Sequence, residues 1–212
     1  MKLTMHCRDI NPILHALNDF SSVKDHRPNL EGVWLEAKGG KIMAYATNGR
    51  ILGMVPLESP DIIQEIDIAE DACYFLPSTL IEQLNKKKLK KNEYIQLEIT
   101  INGTITVREQ IFSGMDCLKD SVYTATTDIN DMPPIHAVLD PRLAFGNGEA
   151  INTVSLNASY LSMFENLSSA VYHNKYVTLN FDGQKGAIRV TTNFIDRESK
   201  DIGLLMPVKI SN

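Results

Sequence analysis

Apolar and polar positions alternate at the start of the chain. Leu3, Met5 and Cys7 sit between polar residues, the period of a half-buried strand. The period then changes. Ile10, Ile13, Leu14 and Leu17 recur at helical spacing and predict a helix with one apolar face. Asp9 or Asn11 can cap that helix, and Pro12 suits its first turn. Strands follow over 33–37, 41–47 and 50–57, joined by the tight-turn pairs Gly39-Gly40 and Asn48-Gly49.

The same order returns twice. A strand over 72–76 ends at Pro77 and leads to a short helix bearing Leu80, Ile81 and Leu84, with Thr79 and Glu82 spaced as a capping box. A hairpin over 94–111 turns at Asn102-Gly103, and another strand is predicted over 118–125. Past the prolines Pro133, Pro134 and Pro141, a strand is expected at 153–157 and a helix at 160–171. Strands at 176–181, 187–194 and 202–210 complete the third copy. Three copies of strand, helix and strands predict an α+β protein with repeated β-α-β-β-β half-domains, antiparallel sheets and helices on one face. The expected boundaries are a two-unit domain over 1–139 (units 1–60 and 61–139) and a single unit over 140–212.

Composition narrows the function class. The chain has 212 residues, 43% hydrophobic and 22% charged, enough to bury a core without covalent staples. Its net charge of −5 excludes attachment to nucleic acid through a globally basic surface, though not through a local basic patch. No apolar run reaches the ~18 residues that span a bilayer, and the N-terminus lacks a signal-peptide core. Cys7, Cys73 and Cys117 are odd in number and far apart. They predict free thiols in a reducing cytoplasm rather than a disulfide framework or zinc site. The five histidines show no metal-ligand spacing, and no nucleophile elbow or phosphate loop is present. No enzyme activity, metal or cofactor is expected.

Several segments resemble one family. His26-Arg27-Pro28-Asn29-Leu30-Glu31-Gly32-Val33 resembles the "RP-x-L-x-G-V" segment of bacterial β sliding clamps, the processivity factors of the replicative DNA polymerase. Ala46-Thr47-Asn48-Gly49-Arg50-Ile51-Leu52 is similar to the clamp "A-T-D-G-x-R-L" turn, with Asn48 in place of the aspartate. Phe75-Leu76-Pro77 and Met132-Pro133-Pro134-Ile135-His136-Ala137-Val138-Leu139 fall where clamps have "V-P" and "F-P-D-Y-x-x-V-L-P". Leu204-Leu205-Met206-Pro207-Val208-Lys209-Ile210 resembles the clamp terminus "V-M-P-M-R-L".

The resemblance implies a DNA-clamp-like fold, in which half-domains ring duplex DNA with helices inside and sheets outside. It implies partners, such as a DNA polymerase or other replication proteins, that dock a short peptide in an apolar pocket. Carried onto this chain, the pocket comprises Thr47, Gly49, Arg50, Leu52, Pro133, Val138, Met206, Pro207 and Val208. Candidate DNA contacts are Arg8, Lys24, Arg27 and the run Lys86, Lys87, Lys88, Lys90 and Lys91. A clamp subunit has six such half-domains and this chain has three, so a homo-oligomer is expected. The alternative is a clamp-derived regulator that captures clamp-binding peptides without encircling DNA.

Overall fold

A computed structural model describes residues 3–22, 26–57, 63–68, 71–86, 89–126, 128–129, 131–139, 156–181, 187–193 and 199–206. The first unit runs β1 (Leu3–Arg8), α1 (Asn11–Asn18), a 3-10 turn (Pro28–Leu30), β2 (Gly32–Lys38), β3 (Lys41–Thr47) and β4 (Ile51–Pro56). β5 (Ile63–Ile68) follows. The second unit runs β6 (Ala72–Pro77), α2 (Ser78–Ile81), β7 (Glu93–Asn102), β8 (Thr104–Ser113) and β9 (Asp116–Thr126). A short helix α3 (Ile135–Leu139) leads towards the third unit, α4 (Ala158–Tyr172), β10 (Thr178–Asn180), β11 (Ile188–Asn193) and β12 (Ser199–Leu205).

Among the described residues the strands form two antiparallel sheets. One is ordered β5-β1-β7-β8-β9 and the other β10-β11-β12-β4-β3-β2-β6. The first two units exchange their opening strands. β1 pairs with β7, Met5 opposite Ile99, and β6 pairs with β2, Phe75 opposite Trp34. Neither unit's sheet is therefore complete without the other. The period-2 pattern predicts each strand but carries no information on which neighbour it takes.

The seven-stranded sheet is buried on both faces. Val33, Leu35, Ile42, Ala44 and Val55 point into the main core, with the apolar face of α1 (Ile13, Leu14, Leu17) and with Phe164 of α4. The alternate residues Trp34, Tyr45, Leu52, Phe75 and Leu204 form a second cluster on the opposite face, closed by Ile135.

The third unit joins through β12, which pairs with β4. At this seam Gly203 lies opposite Gly53. The space left by the two absent side chains is taken by two rings, Phe20 and Phe164, which pack edge to face at 5.0 Å and 70°. A β-carbon on Gly203 would fall 1.9 Å from the Leu52 carbonyl oxygen, and one on Gly53 2.9 Å from the Phe20 ring. Farther along α4, Ser168 Oγ and Thr192 Oγ1 satisfy each other in the core at 2.8 Å.

A buried carboxylate ties the second unit to the first. Glu109 on β8 is fully buried. Its Oε1 accepts from Asn11 Nδ2 at 2.7 Å and from the Asn85 backbone N–H at 2.7 Å. Lys119 Nζ lies 3.8 Å from its Oε2. Replacing Glu109 with leucine strands two buried donors, each costing about 1–3 kcal/mol. Glu109→Leu should therefore lower unfolding free energy by roughly 2–6 kcal/mol in urea titration; an unchanged midpoint would show that these donors find water instead.

Several sequence expectations differ in detail. Asn11 does not cap α1, since it lies inside the helix with its side chain on Glu109. Asp9 instead adopts φ 51° and its carboxylate accepts from the Ile95 N–H at 2.9 Å, bridging β1 to β7. The capping box of α2 does not form: Pro77 occupies the N-cap position, with no side-chain cap. α4 begins earlier than expected, where the Asn157 side chain accepts from Ser159 N–H at 3.1 Å. The strand expected at 153–157 begins outside the described residues.

Candidate peptide-binding groove

The turn between β3 and β4 is held by its own side chains. Thr47 Oγ1 donates to the Ile51 carbonyl at 2.7 Å and accepts from Gly49 N–H at 3.0 Å. Asn48 Oδ1 accepts from the N–H groups of Arg50 and Ile51 at 3.0 and 3.2 Å. Gly49 sits at φ 83°, a left-handed conformation that glycine adopts without a β-carbon penalty. Asparagine at 48 accepts these bonds as an aspartate would, which explains why the departure from the clamp pattern leaves the turn intact.

β12 ends against this turn. The Met206 N–H donates to the Arg50 carbonyl at 3.0 Å. The connection after β9 lies across the same region. Asn29 Nδ2 donates to the Asp131 carbonyl at 3.0 Å, and Asn29 in turn accepts from Trp34 Nε1 through its own carbonyl at 2.9 Å. Ile135 inserts beside Trp34 and Phe75, whose rings lie 5.0 Å apart. His136 Nε2 lies 2.9 Å from Glu36 Oε1, and Tyr45 OH donates to Glu36 Oε2 at 3.1 Å. Burial, reinforced by the Glu36 carboxylate, pushes the Tyr45 phenol above its ordinary range, so it stays a neutral donor.

Turn, connection and β12 enclose an open groove of about 350 Å³. Thr47, Gly49, Arg50, Leu52, Pro133 and Met206 all line it. Val138 lies on α3, but its side chain is outside the described residues, as are Pro207 and Val208. Sequence reasoning misses Leu30, Ile51, Pro134, Ile135 and Leu204, which also line the groove. All five stand inside the quoted clamp-like segments, so a signal exists. Met206 is 42% exposed, which leaves it available to a ligand.

The candidate DNA contacts do not gather in one place. Arg27 lines the groove beside Gly49. Arg8 stacks over the Tyr94 ring at 4.2 Å and lies 3.7 Å from Asp9. Lys90 lies 3.7 Å from Glu93, and Lys91 is exposed. Lys24, Lys87 and Lys88 are outside the described residues. Lys86 alone among the described candidates reaches the hollow between α1 and α4, which also holds Asp9, Asp19, His15 and His173. There burial and then Lys86 lower the His15 pKa, while burial raises that of Asp19 against the opposing pull of Lys86. The helix side is thus mixed in charge.

No group of three or more His, Cys, Asp or Glu among the described residues is placed to hold a metal. No described helix is long and apolar enough to cross a membrane.

No family model and no curated protein matches the chain. Solved structures do. A DNA polymerase III β subunit from Thermotoga maritima superposes with TM-score 0.55 at 13% identity, covering 99% of this chain and 65% of that one. A Helicobacter pylori β clamp, solved with carprofen, gives TM-score 0.55 at 10% identity, over 98% and 67%. The Pseudomonas aeruginosa DNA polymerase sliding clamp solved with a ligand is 16% identical over 98% of this chain and 51% of that one, with TM-score 0.46. The chain thus spans about half to two-thirds of the length of these clamps. With exchanged strands, a continuous sheet across units, α1, α2 and α4 packed on one face and only the short α3 on the other among the described helices, the chain has the fold of the bacterial DNA polymerase III β sliding clamps.

Proposed function

We propose that this protein is a clamp-type, non-enzymatic scaffold of DNA replication that binds a short peptide of a partner protein in the groove at the β4–β12 seam. The observation that carries the reading is the convergence of Leu52, Pro133 and Met206 with the Thr47–Arg50 turn around one apolar groove. An extended peptide with a few apolar anchors suits such a shape, and Met206 adapts to varied anchors. The partner is a polymerase or another replication protein, and the scaffold works as a homo-oligomer in the cytoplasm.

The test is fluorescence anisotropy with a labelled peptide carrying two apolar anchors, taken from a bacterial replicative polymerase. Met206→Ala should weaken binding about 5–10-fold, near 1–1.4 kcal/mol. Unchanged affinity in Met206→Ala would remove the groove from the proposal.

A second reading is a clamp-derived regulator that captures such peptides without encircling DNA. The mixed charge around Lys86, Asp9 and Asp19 on the helix side favours it. Retention on circular but not linear duplex would support encirclement; no retention on either, with peptide binding intact, would support the regulator.

A further inference from the structure

One wall of the groove is the segment Pro133-Pro134-Ile135, which leads into α3. Two consecutive prolines have no N–H, so they cannot be tied to the sheet by backbone donors of their own. The nearest backbone bonds stay within the segment. The Ile135 N–H donates to the Pro133 carbonyl at 2.6 Å and the Ala137 N–H to the Pro134 carbonyl at 3.2 Å. The wall therefore takes its position from anchors on either side. Upstream, Asn29 Nδ2 holds the Asp131 carbonyl at 3.0 Å. Downstream, Ile135 is buried in the cluster of Trp34 and Phe75, and the next residue, His136, reaches Glu36 on β2.

Glu36 is set in place before His136 meets it. It lies mid-sheet, opposite Met43 on β3 and Cys73 on β6, with a side chain only 17% exposed. The buried Tyr45 donates its OH to Oε2 at 3.1 Å. His136 Nε2 lies 2.9 and 3.1 Å from the two carboxylate oxygens. A carboxylate only accepts, so this nitrogen carries the hydrogen and donates it. The imidazole also stands edge-on to the Tyr45 ring, at 6.2 Å and 80°. A fixed acceptor below and a short helix above make a latch between α3 and the sheet.

We propose that Glu36 and His136 are positioning residues for the groove: their contact latches α3 to the sheet, fixes the Pro133-Pro134 wall and so sets the affinity for the peptide. This rests on the peptide-groove reading above and adds the side chains that tune it. Neither residue is among the side chains that line the groove, so each acts on the peptide through the wall. A wall already held in its binding position removes an ordering cost from association.

The experiment combines peptide anisotropy with hydrogen exchange at the Ile135 and Ala137 amides. His136→Ala is expected to weaken the peptide about 3–5-fold and to speed exchange at both amides, with the amides of β2 and β3 still protected. Glu36→Ala is expected to do the same. The double variant is expected to lose no more than either single one, since one contact is removed only once. His136→Lys, which returns a donor long enough to reach Glu36, is expected to bind within about twofold of the wild type. Unchanged exchange in His136→Ala overturns the latch, as do tighter peptide binding, additive losses in the double variant, or no rescue by lysine. The exchange readout needs no peptide, so the two readings fail separately. A wild type that binds no peptide overturns the groove reading and with it the effect on affinity, while faster exchange in His136→Ala still supports the latch itself.

Discussion

Gly203→Val is expected to unfold the third unit from the rest of the chain. Gly203 opens the three-pair β4–β12 seam, opposite Gly53. A β-carbon there would meet the Leu52 carbonyl at 1.9 Å and the Phe164 ring at 2.7 Å. A ring can turn, but the Leu52 carbonyl belongs to the sheet backbone and cannot withdraw without breaking the pairing. Overpacking a core commonly costs about 1–3 kcal/mol, and a clash with backbone exceeds that range. The expected result is early exchange of the amide protons of β11 and β12, with β7 and β8 still protected. Gly103→Ala is the control: its β-carbon would meet nothing within 4 Å, and only its φ of 73° is strained. That strain costs about 1–2 kcal/mol. Equal losses in the two variants would disprove a special role for the seam.

Phe164→Ala should cost about 3–5 kcal/mol, the usual range for a buried phenylalanine. The ring is fully buried and reaches from α4 across the glycine pair to Phe20. It helps to join α4 of the third unit to the first unit. Part of the loss belongs to the ring pair itself, about 0.5–1.5 kcal/mol. A double-mutant cycle with Phe20→Ala should recover that coupling by urea denaturation. A coupling near zero would mean that the rings merely fill volume, each on its own.

Much of the candidate groove is legible in the sequence. The turn 47–51 is written in residue types whose side chains bond locally, so Thr47, Asn48 and Gly49 specify it from a few adjacent positions. Met206 and Pro133 stand out because they belong to segments with a family pattern. Arg27 falls among the candidate DNA contacts in sequence because a positive charge on a loop has no visible direction there; the fold turns it to the candidate groove. Asp9 and Asn11 read as helix caps because local chemistry allows it. Distant partners, Ile95 and Glu109, win both side chains.

The units are written in local patterning. Apolar periods of two and of 3.6 residues, with glycine turns between them, specify which stretches become strands and helices. What lies between units is set by packing in three dimensions: the exchange of β1 and β6 and the β4–β12 seam. Pairing between strands far apart in the chain leaves no local trace. Gly203 reads in sequence as one more small residue, and only the approach of Leu52 and Phe164 shows why no side chain fits there.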